Sequence, residues 1–226
     1  MHNLFRDPGI PDGEKSRYSV GISGLPSSFE MSSVVTHEAG CYRTILDAGV
    51  GRDLQLTIEQ RFGRADGFLR AHDYRAETRS RGTVVSSEEV HFVDTVHLPI
   101  GGPPTPFPPD IMPIAAGLTL LRGLEFAEDT VRSIDVWLAF SVHWPLIAKV
   151  VEPAEIQVGA GAFDCWQVRL RPSFAQVNSL LDKVIGGLLP PITAYFECAP
   201  PHRLVSSSFP TALAISAPRA VMELAG

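Results

Sequence analysis

The sequence predicts a mainly β, single-domain protein whose antiparallel sheet is accompanied by one or two helices. Short apolar–polar alternations bounded by turn residues recur along both halves of the chain. Only two stretches place their apolar residues at helical spacing. The 226 residues can bury a core without metals or disulfides, and one β domain of this length is common, with two smaller domains as the alternative.

The first half of the chain has the character of an antiparallel meander. Residues 1–12 are rich in Pro, Gly and Asp and are expected to lie across the surface. Alternation is clearest from Leu54 to Phe62, where every second residue is polar, as in a strand with one solvated face. The strands predicted in this half are 17–22, 30–36, 41–46, 54–62, 67–78 and 83–97.

The second half adds two amphipathic stretches. A rigid proline-rich connection, 100–110, precedes a helix that Asp110 can cap and Gly123 can end. Its apolar stripe, which is expected to pack on the sheet, is Ile111, Ile114, Ala115, Leu118 and Leu121. The second stretch is 174–189. The strands predicted in this half are 132–144, 147–158, 162–171, 192–197, 204–209 and 212–224.

Charge and hydropathy exclude several classes of partner. The net charge of -6 gives no basic footprint for nucleic acid and disfavours docking on anionic lipid. No segment is long and apolar enough to predict a transmembrane span. The amino terminus lacks a basic start followed by an apolar run, so a cytoplasmic location is expected unless a leader has been removed. The oligomeric state is left open.

The strong signatures of catalysis and of cofactor binding are absent from the sequence. It contains no HExxH, no GxSxG and no GxxxxGK motif, so no cofactor is predicted. His91 and His97 fall on one face of a predicted strand, but six strand residues span roughly 20 Å, too far for one metal ion. No metal site is therefore predicted. The three cysteines are expected to be reduced, and a Cys165–Cys198 disulfide remains the alternative for an exported protein.

Three segments resemble a bacterial family of domains of unknown function whose members are similar in fold to the lipoprotein-localisation factors. These segments are GEKSRYSVGISGLP, PPDIMPIAAGLTLLRGLEFAEDT and the signature strand VGAGAFDCWQVRLRP. The resemblance implies a highly curved sheet, a half-barrel, with a helix on its concave side. Related folds use that concavity for lipid chains or other apolar ligands. Against this background, 174–189 is either a lid helix over the concavity or a helix fixed on the core.

The predicted strand 132–144 carries the most informative polar face. Ile134, Val136 and Leu138 are expected to face the core, with Asp135, Trp137 and His143 on the other side. That side is either partly solvated, with Trp137 packed under a loop, or it lines a cavity. In a cavity, Trp137 would be an apolar wall, and Asp135 or His143 a proton-transfer group.

Further candidates come from other strands and from the helices. His91 and Tyr195 are added to Asp135 and His143 as candidate catalytic groups. The candidate ligand-binding residues are Trp137, Tyr74, Trp166, Leu181 and Leu118.

The leading functional hypothesis is that the protein binds an apolar, amphipathic or lipid-like small molecule between the curved sheet and its helices. The alternative is a cofactor-independent cyclase, isomerase or lyase acting in the same cavity. A purely structural or interaction module is the third hypothesis, and it requires only that side chains fill the concavity.

Overall fold

The computed structural model describes residues 4–26, 28–51, 53–97, 103–139, 142–175, 190–212 and 217–226. The expected lid 174–189, with Leu181, therefore lies outside the described residues apart from its first two positions. The strands are β1 Glu14–Ile22, β2 Ser28–Glu38, β3 Cys41–Val50, β4 Leu54–Ala65, β5 Phe68–Ser80, β6 Thr83–His91, β7 Val96–His97, β8 Thr105–Pro106, β9 Met112–Pro113, β10 Val131–Ala139, β11 Val142–Val158, β12 Gly161–Pro172, β13 Ile192–Glu197, β14 Leu204–Pro210 and β15 Arg219–Leu224.

One curved sheet of thirteen strands forms the body of the protein, which confirms the mainly β, single-domain prediction. Its order is β6-β5-β4-β3-β2-β1-β15-β14-β13-β12-β11-β10-β9. Every neighbouring pair is antiparallel except β9 and β10. The first and last long strands join the two halves, because Tyr18 on β1 lies opposite Leu224 on β15. β7 and β8 form a small separate ladder.

Alternating burial along the strands defines the inner face of the sheet. On β3, Tyr42 and Leu46 are buried, and so is Thr44 between them at the same period. On β10, Ile134 and Val136 are 0% and 2% exposed, as expected for the core face. Leu138 is an exception to the predicted core stripe, since it is 45% exposed near the end of the strand.

Two predicted strands are each divided in the structure. The predicted strand 83–97 ends at His91, and the chain turns through Asp94, whose φ of 55° interrupts the ladder, before β7 begins. The predicted strand 132–144 contains the end of β10 and the start of β11, so His143 belongs to the neighbouring strand. Period-2 alternation cannot reveal such a turn when the residues on both sides of it are apolar.

The predicted helix after Asp110 is much shorter than expected. Two 3₁₀ turns, Ile114–Ala116 and Leu121–Gly123, flank a single α-helical turn, Gly117–Leu120. Asp110 is not its cap, because its carboxylate accepts a hydrogen bond from the Leu4 N–H.

The short helix packs on the concave face of the sheet with a different set of residues from the predicted stripe. The Thr119 hydroxyl lies 3.4 Å from that of Thr44, on the inner face of β3. In 3₁₀ geometry the side-chain period is three, so the buried face shifts. Ile114 is consequently 58% exposed, whereas Ala116 and Leu120 are fully buried.

The N-terminal segment, which the sequence places across the surface, also inserts into the core. Phe5 and Ile10 are each 1% exposed. The Arg6 N–H donates to the Gly123 carbonyl at 2.7 Å. A Cβ at position 123 would come within 2.2 Å of the Arg6 carbonyl oxygen, so glycine is required there. The segment and the short helix therefore pack together on the concave face of the sheet.

Candidate functional site

A cleft of about 530 Å³ opens where the two ends of the curved sheet approach each other. One wall is β6, and the other includes β10 together with the segment that follows β6. A smaller hollow of about 300 Å³ beside Gly21 and Val221 is lined by no titratable side chain. The larger cleft is therefore the candidate site. Its lining includes Glu88, Val90, His91, His97, Phe107 and Trp137.

Aromatic packing between distant strands builds the floor of the cleft. The rings of Tyr74 on β5 and Trp137 on β10 meet edge-on, with centroids 5.2 Å apart. Phe92 lies 5.8 Å from Trp137 and 5.1 Å from Phe107, again edge to face. Such arrangements suit the ring quadrupoles. Trp137 is 2% exposed although it points away from Ile134 and Val136, so β10 is covered on both faces here.

His97 is positioned by the small β7–β8 ladder. The chain reverses after His91, and β7 then pairs with β8, with His97 opposite Thr105. This pairing stacks the His97 ring on Phe107, with centroids 4.4 Å apart and planes 10° from parallel. The imidazole is 4% exposed and lines the cleft.

Three buried nitrogen atoms at the cleft have no hydrogen-bond partner in the part of the chain that the structure describes. They are Nδ1 and Nε2 of His97 and Nε1 of Trp137. Most buried polar side-chain atoms in proteins do have a partner, and each buried atom without one costs about 1–3 kcal/mol. Because His97 and Trp137 line the cleft, a molecule bound there could form hydrogen bonds with these three nitrogen atoms.

Asp135 and His143 form an acid–base pair next to this polar wall. His143 lies opposite Trp137 in the β10–β11 ladder, and Asp135 is two residues earlier on the same face. His143 Nδ1 is 3.5 Å from Asp135 Oδ1, and the His143 ring is 5.2 Å from that of His97. Both side chains are partly exposed, but His143 Nδ1 itself is buried and forms no hydrogen bond with any described residue, Asp135 included.

The rim of the cleft is acidic. His91 Nδ1 lies 2.6 Å from Asp73 Oδ1, and this hydrogen bond raises the pKa of His91. Glu88 and Glu89 stand on β6 beside it. Burial, with a smaller contribution from the Glu88 charge, raises the pKa of Tyr74 below the rim.

The structure brings together some of the sequence-predicted site residues and separates others. His91 and Trp137 line the cleft, and Tyr74 contacts Trp137 beneath it. Asp135 and His143 do not line the cleft but lie next to it, where the His143 ring contacts that of His97.

Three other predicted residues are not among those that line the cleft. Tyr195 is on β13, three strands from β10, where its hydroxyl accepts a hydrogen bond from Gln167. Trp166 stacks with Phe126, with ring centroids 6.5 Å apart. Leu118 is half-buried in the short helix.

Sequence reasoning missed His97, Phe107 and Glu88 as members of the site. Strand alternation relates His97 only to His91, as a second candidate metal ligand. The signal in the sequence for its burial is its position between two apolar residues, Val96 and Leu98. Nothing local could place Phe107 beside it, because the contact follows from the β7–β8 pairing.

The described residues contain neither a cluster of metal ligands nor a helix that could span a membrane. Among the described residues, no three His, Cys, Asp or Glu side chains lie close enough together to hold a metal ion. Within the same residues, no helix has the length and hydropathy needed to cross a membrane.

Comparison with known proteins supports the fold. No family model matches the chain, and no curated protein matches it. A β-barrel-like protein of a domain of unknown function, DUF1849, from Brucella abortus is similar in structure, with a TM-score of 0.50 and 10% identity. That match covers 99% of this chain and 97% of the other. A protein with a YmcC-like fold from Bacteroides fragilis matches over 99% and 98% of the two chains, at 11% identity and a TM-score of 0.32. The first of these likenesses shows that the chain has a β-barrel-like fold.

Proposed function

We propose that this protein binds an amphipathic small molecule in the cleft between β6 and β10. The observation that carries the proposal is that the buried nitrogens of His97 and Trp137, two residues that line the cleft, have no hydrogen-bond partner among the described residues. A ligand that presents an acceptor to the indole N–H and a donor or acceptor to the imidazole would remove the cost of burying them alone.

The size and lining of the cleft suit such a ligand. A volume of about 530 Å³ is within the usual range of small-molecule sites, roughly 300–1,000 Å³. Phe107, Val90 and Val96 supply apolar wall, and the polar groups are few, which is the common composition of a binding pocket. The position differs from the sequence-based hypothesis, because the short helix and the N-terminal segment occupy the concave face.

The resemblance to lipoprotein-localisation factors supports an apolar ligand. It does not support the position proposed for that ligand here. In those folds the ligand lies inside the curved sheet. Here we place it at the seam between the sheet ends. The lipid-like character of the ligand is thus part of the proposal and rests on the apolar wall of the cleft.

The proposal is tested by native mass spectrometry of the gently purified protein, together with mass spectrometry of an organic extract. We expect a stoichiometric small molecule in the wild type, lost in His97→Phe and reduced in Trp137→Phe. Tyr195→Phe is the matched control, since it removes one hydroxyl group three strands away. A ligand that His97→Phe retains at full occupancy would place binding elsewhere. If the wild type carries no ligand and none binds in a broad lipid and terpenoid screen, the proposal fails.

A second candidate function is acid–base catalysis in the same cleft. The Asp135–His143 pair, with His97 beside it, favours this candidate. Asp135 would orient and stabilise His143, which would move a proton to or from a bound substrate, and a positioned base contributes roughly 10²–10⁴ in rate. The test is turnover of any ligand identified above. Loss of turnover in His143→Gln with unchanged ligand affinity would support catalysis, whereas an unaltered ligand after prolonged incubation would argue for binding alone.

A further inference from the structure

We infer that the cleft selects an organic cation, an amine whose ammonium group is held by Glu88 against the aromatic rings of Trp137 and Phe107. The inference rests on the proposed function, since it names the chemical class of ligand for that same cleft. The observations that carry it are the charge of the lining, the position of Glu88 and the ring cluster at the floor.

The charge of the lining is mainly negative. Glu88 and Glu89 line the cleft, and none of the described lining residues is Lys or Arg. His91, the lining residue that can carry a positive charge, is hydrogen-bonded to Asp73. Glu89 is 61% exposed, lies opposite Arg75 in the β5–β6 ladder and approaches His91 at 3.7 Å, so its charge is partly balanced. Glu88 is half-buried and forms no ion pair with any described residue. Of the two lining carboxylates, Glu88 is therefore the one that a cationic ligand could pair with.

Glu88 stands on the same face of β6 as the floor of the cleft. Its register partner on β5 is Ala76, and the next inward pair is Val90 with Tyr74. Tyr74 contacts Trp137 edge-on. The electrostatic effect of Glu88 on the Tyr74 hydroxyl is consistent with this proximity. A ligand on the floor is thus near both the carboxylate and the rings.

The ring cluster matches the way that proteins bind ammonium groups. Cations are attracted to the faces of Trp, Tyr and Phe, and aromatic cages bind organic ammonium groups in this way. A carboxylate such as that of Glu88 attracts the same positive charge. A neutral His97 offers an acceptor nitrogen to an ammonium N–H. The Trp137 indole N–H can only donate, so it calls for an oxygen elsewhere on the ligand. These requirements together describe an aromatic or aliphatic amine with a neighbouring hydroxyl or carbonyl group.

An anionic ligand meets the opposite situation. A carboxylate on the cleft floor would be placed near Glu88, with no Lys or Arg among the described lining residues to offset the repulsion. A neutral ligand would gain the apolar contacts but would leave the charge of Glu88 uncompensated. A cationic, a neutral and an anionic ligand of similar shape should therefore bind with decreasing affinity.

The experiment measures binding of 2-phenylethylamine, 2-phenylethanol and phenylacetate at low ionic strength. These probes share a ring and a short linker and differ in charge. The readout is the indole N–H signal of Trp137 in a ¹H–¹⁵N spectrum, assigned with Trp137→Phe. We expect the amine to bind about fivefold more tightly than the alcohol and at least tenfold more tightly than the acid. Glu88→Gln should bring the amine to the affinity of the alcohol, and the control Glu89→Gln should change it less than twofold.

The outcomes separate this inference from the proposed function. Equal binding of all three probes, unaffected by Glu88→Gln, overturns the cation inference and leaves ligand binding at the cleft in place. Preference for phenylacetate overturns it in the same way. A third outcome is that none of the probes changes the Trp137 signal, while another ligand co-purifies with the wild type and is absent from the His97→Phe variant. The cation inference is then wrong and the proposed function stands.

Discussion

Tyr74 and Trp137 touch edge-on, with ring centroids 5.2 Å apart, although nine strands separate β5 from β10 in the sheet order. The sheet therefore bends until strands near its two ends meet, while among the described residues no ladder of hydrogen bonds closes the sheet into a barrel. Side-chain packing takes the place of the missing ladder at the seam. The cleft is a direct result, because strands that pack through side chains leave space that hydrogen-bonded strands would not.

A double-mutant cycle on this pair measures how strongly the seam is held. We expect Tyr74→Leu and Trp137→Leu each to lower the free energy of unfolding in urea. The coupling between them should be about 0.5–1.5 kcal/mol, as for other edge-to-face pairs. Tyr74→Leu combined with Trp166→Leu serves as the control and should be additive within about 0.5 kcal/mol. Additivity of the first pair as well would mean that the ring contact does not hold the seam.

His97 separates binding from stability. Replacing His97 with Phe keeps a flat ring against Phe107 and removes two buried nitrogens that have no partner among the described residues. We expect the ligand-free variant to be as stable as the wild type or more stable, by up to about 1–3 kcal/mol in urea denaturation. Phe107→Leu, which removes the stacking partner, should instead lower stability. A loss of stability in His97→Phe would show that the imidazole has a structural role.

The strands of this protein follow from local pattern, and the site does not. Leu54–Ala65 forms one strand because its alternation matches the pleat, and the core face of β10 at Ile134 and Val136 follows from the same period. The same period places Asp135 and Trp137 on one face, whereas His143 reaches that face from the neighbouring strand, through a register shift that local pattern does not predict.

The meeting of His97, Phe107 and Trp137 could not be predicted from local sequence. It depends on how far thirteen strands curve, and curvature accumulates from small twists along the whole sheet.

The prediction of a longer helix after Asp110 was wrong for a related reason. Its first 3₁₀ turn contacts β4, where Gln60 donates to the Ala115 carbonyl, and only the following turn, which contacts β3 through Thr119, is α-helical. Tertiary packing therefore overrode the helical spacing of the apolar residues.

A buried ion pair joins the start of β1 to the short helix. Arg122, 3% exposed, donates to both carboxylate oxygens of Glu14 at 2.6 and 3.0 Å, and its Nε donates to the Pro201 carbonyl. Glu14→Ala would leave the guanidinium buried without its counter-charge. We expect a loss of about 3–5 kcal/mol in the free energy of unfolding.

Two further variants distinguish the ion pair from simple packing. Glu14→Leu combined with Arg122→Met should recover most of the loss, because no buried charge remains. The exposed pair Lys149–Asp129 provides the control, and Lys149→Ala should change stability by less than about 1 kcal/mol. A double variant no more stable than Glu14→Ala would contradict the explanation.

Asp7 makes the stability of the N-terminal segment depend on pH. Its carboxylate accepts hydrogen bonds from Tyr42 Oη at 2.6 Å, from the Gly9 N–H at 2.9 Å and from Arg64 Nε at 2.7 Å. Burial acts against the charged form, but these bonds and the Arg64 charge outweigh it and lower the pKa of Asp7. Burial and the Asp7 contact raise the pKa of Tyr42 to about 12, so the phenol remains a donor at neutral and acid pH.

A lowered pKa in the folded state means that the unfolded state binds the proton more readily, so stability falls as the pH falls. The contribution of Asp7 should be fully present above its ordinary pKa of 3.8 and should be lost as the pH drops below that value through the folded-state pKa. Chemical denaturation across this range should show wild type and Asp7→Asn differing by about 1–3 kcal/mol at neutral pH and converging in acid. Asp53→Asn is the control, because Asp53 and Arg81 are both largely exposed, and its difference from wild type should stay small at every pH. A constant difference between wild type and Asp7→Asn down to the lowest pH would mean that the Asp7 charge does not hold the segment in place.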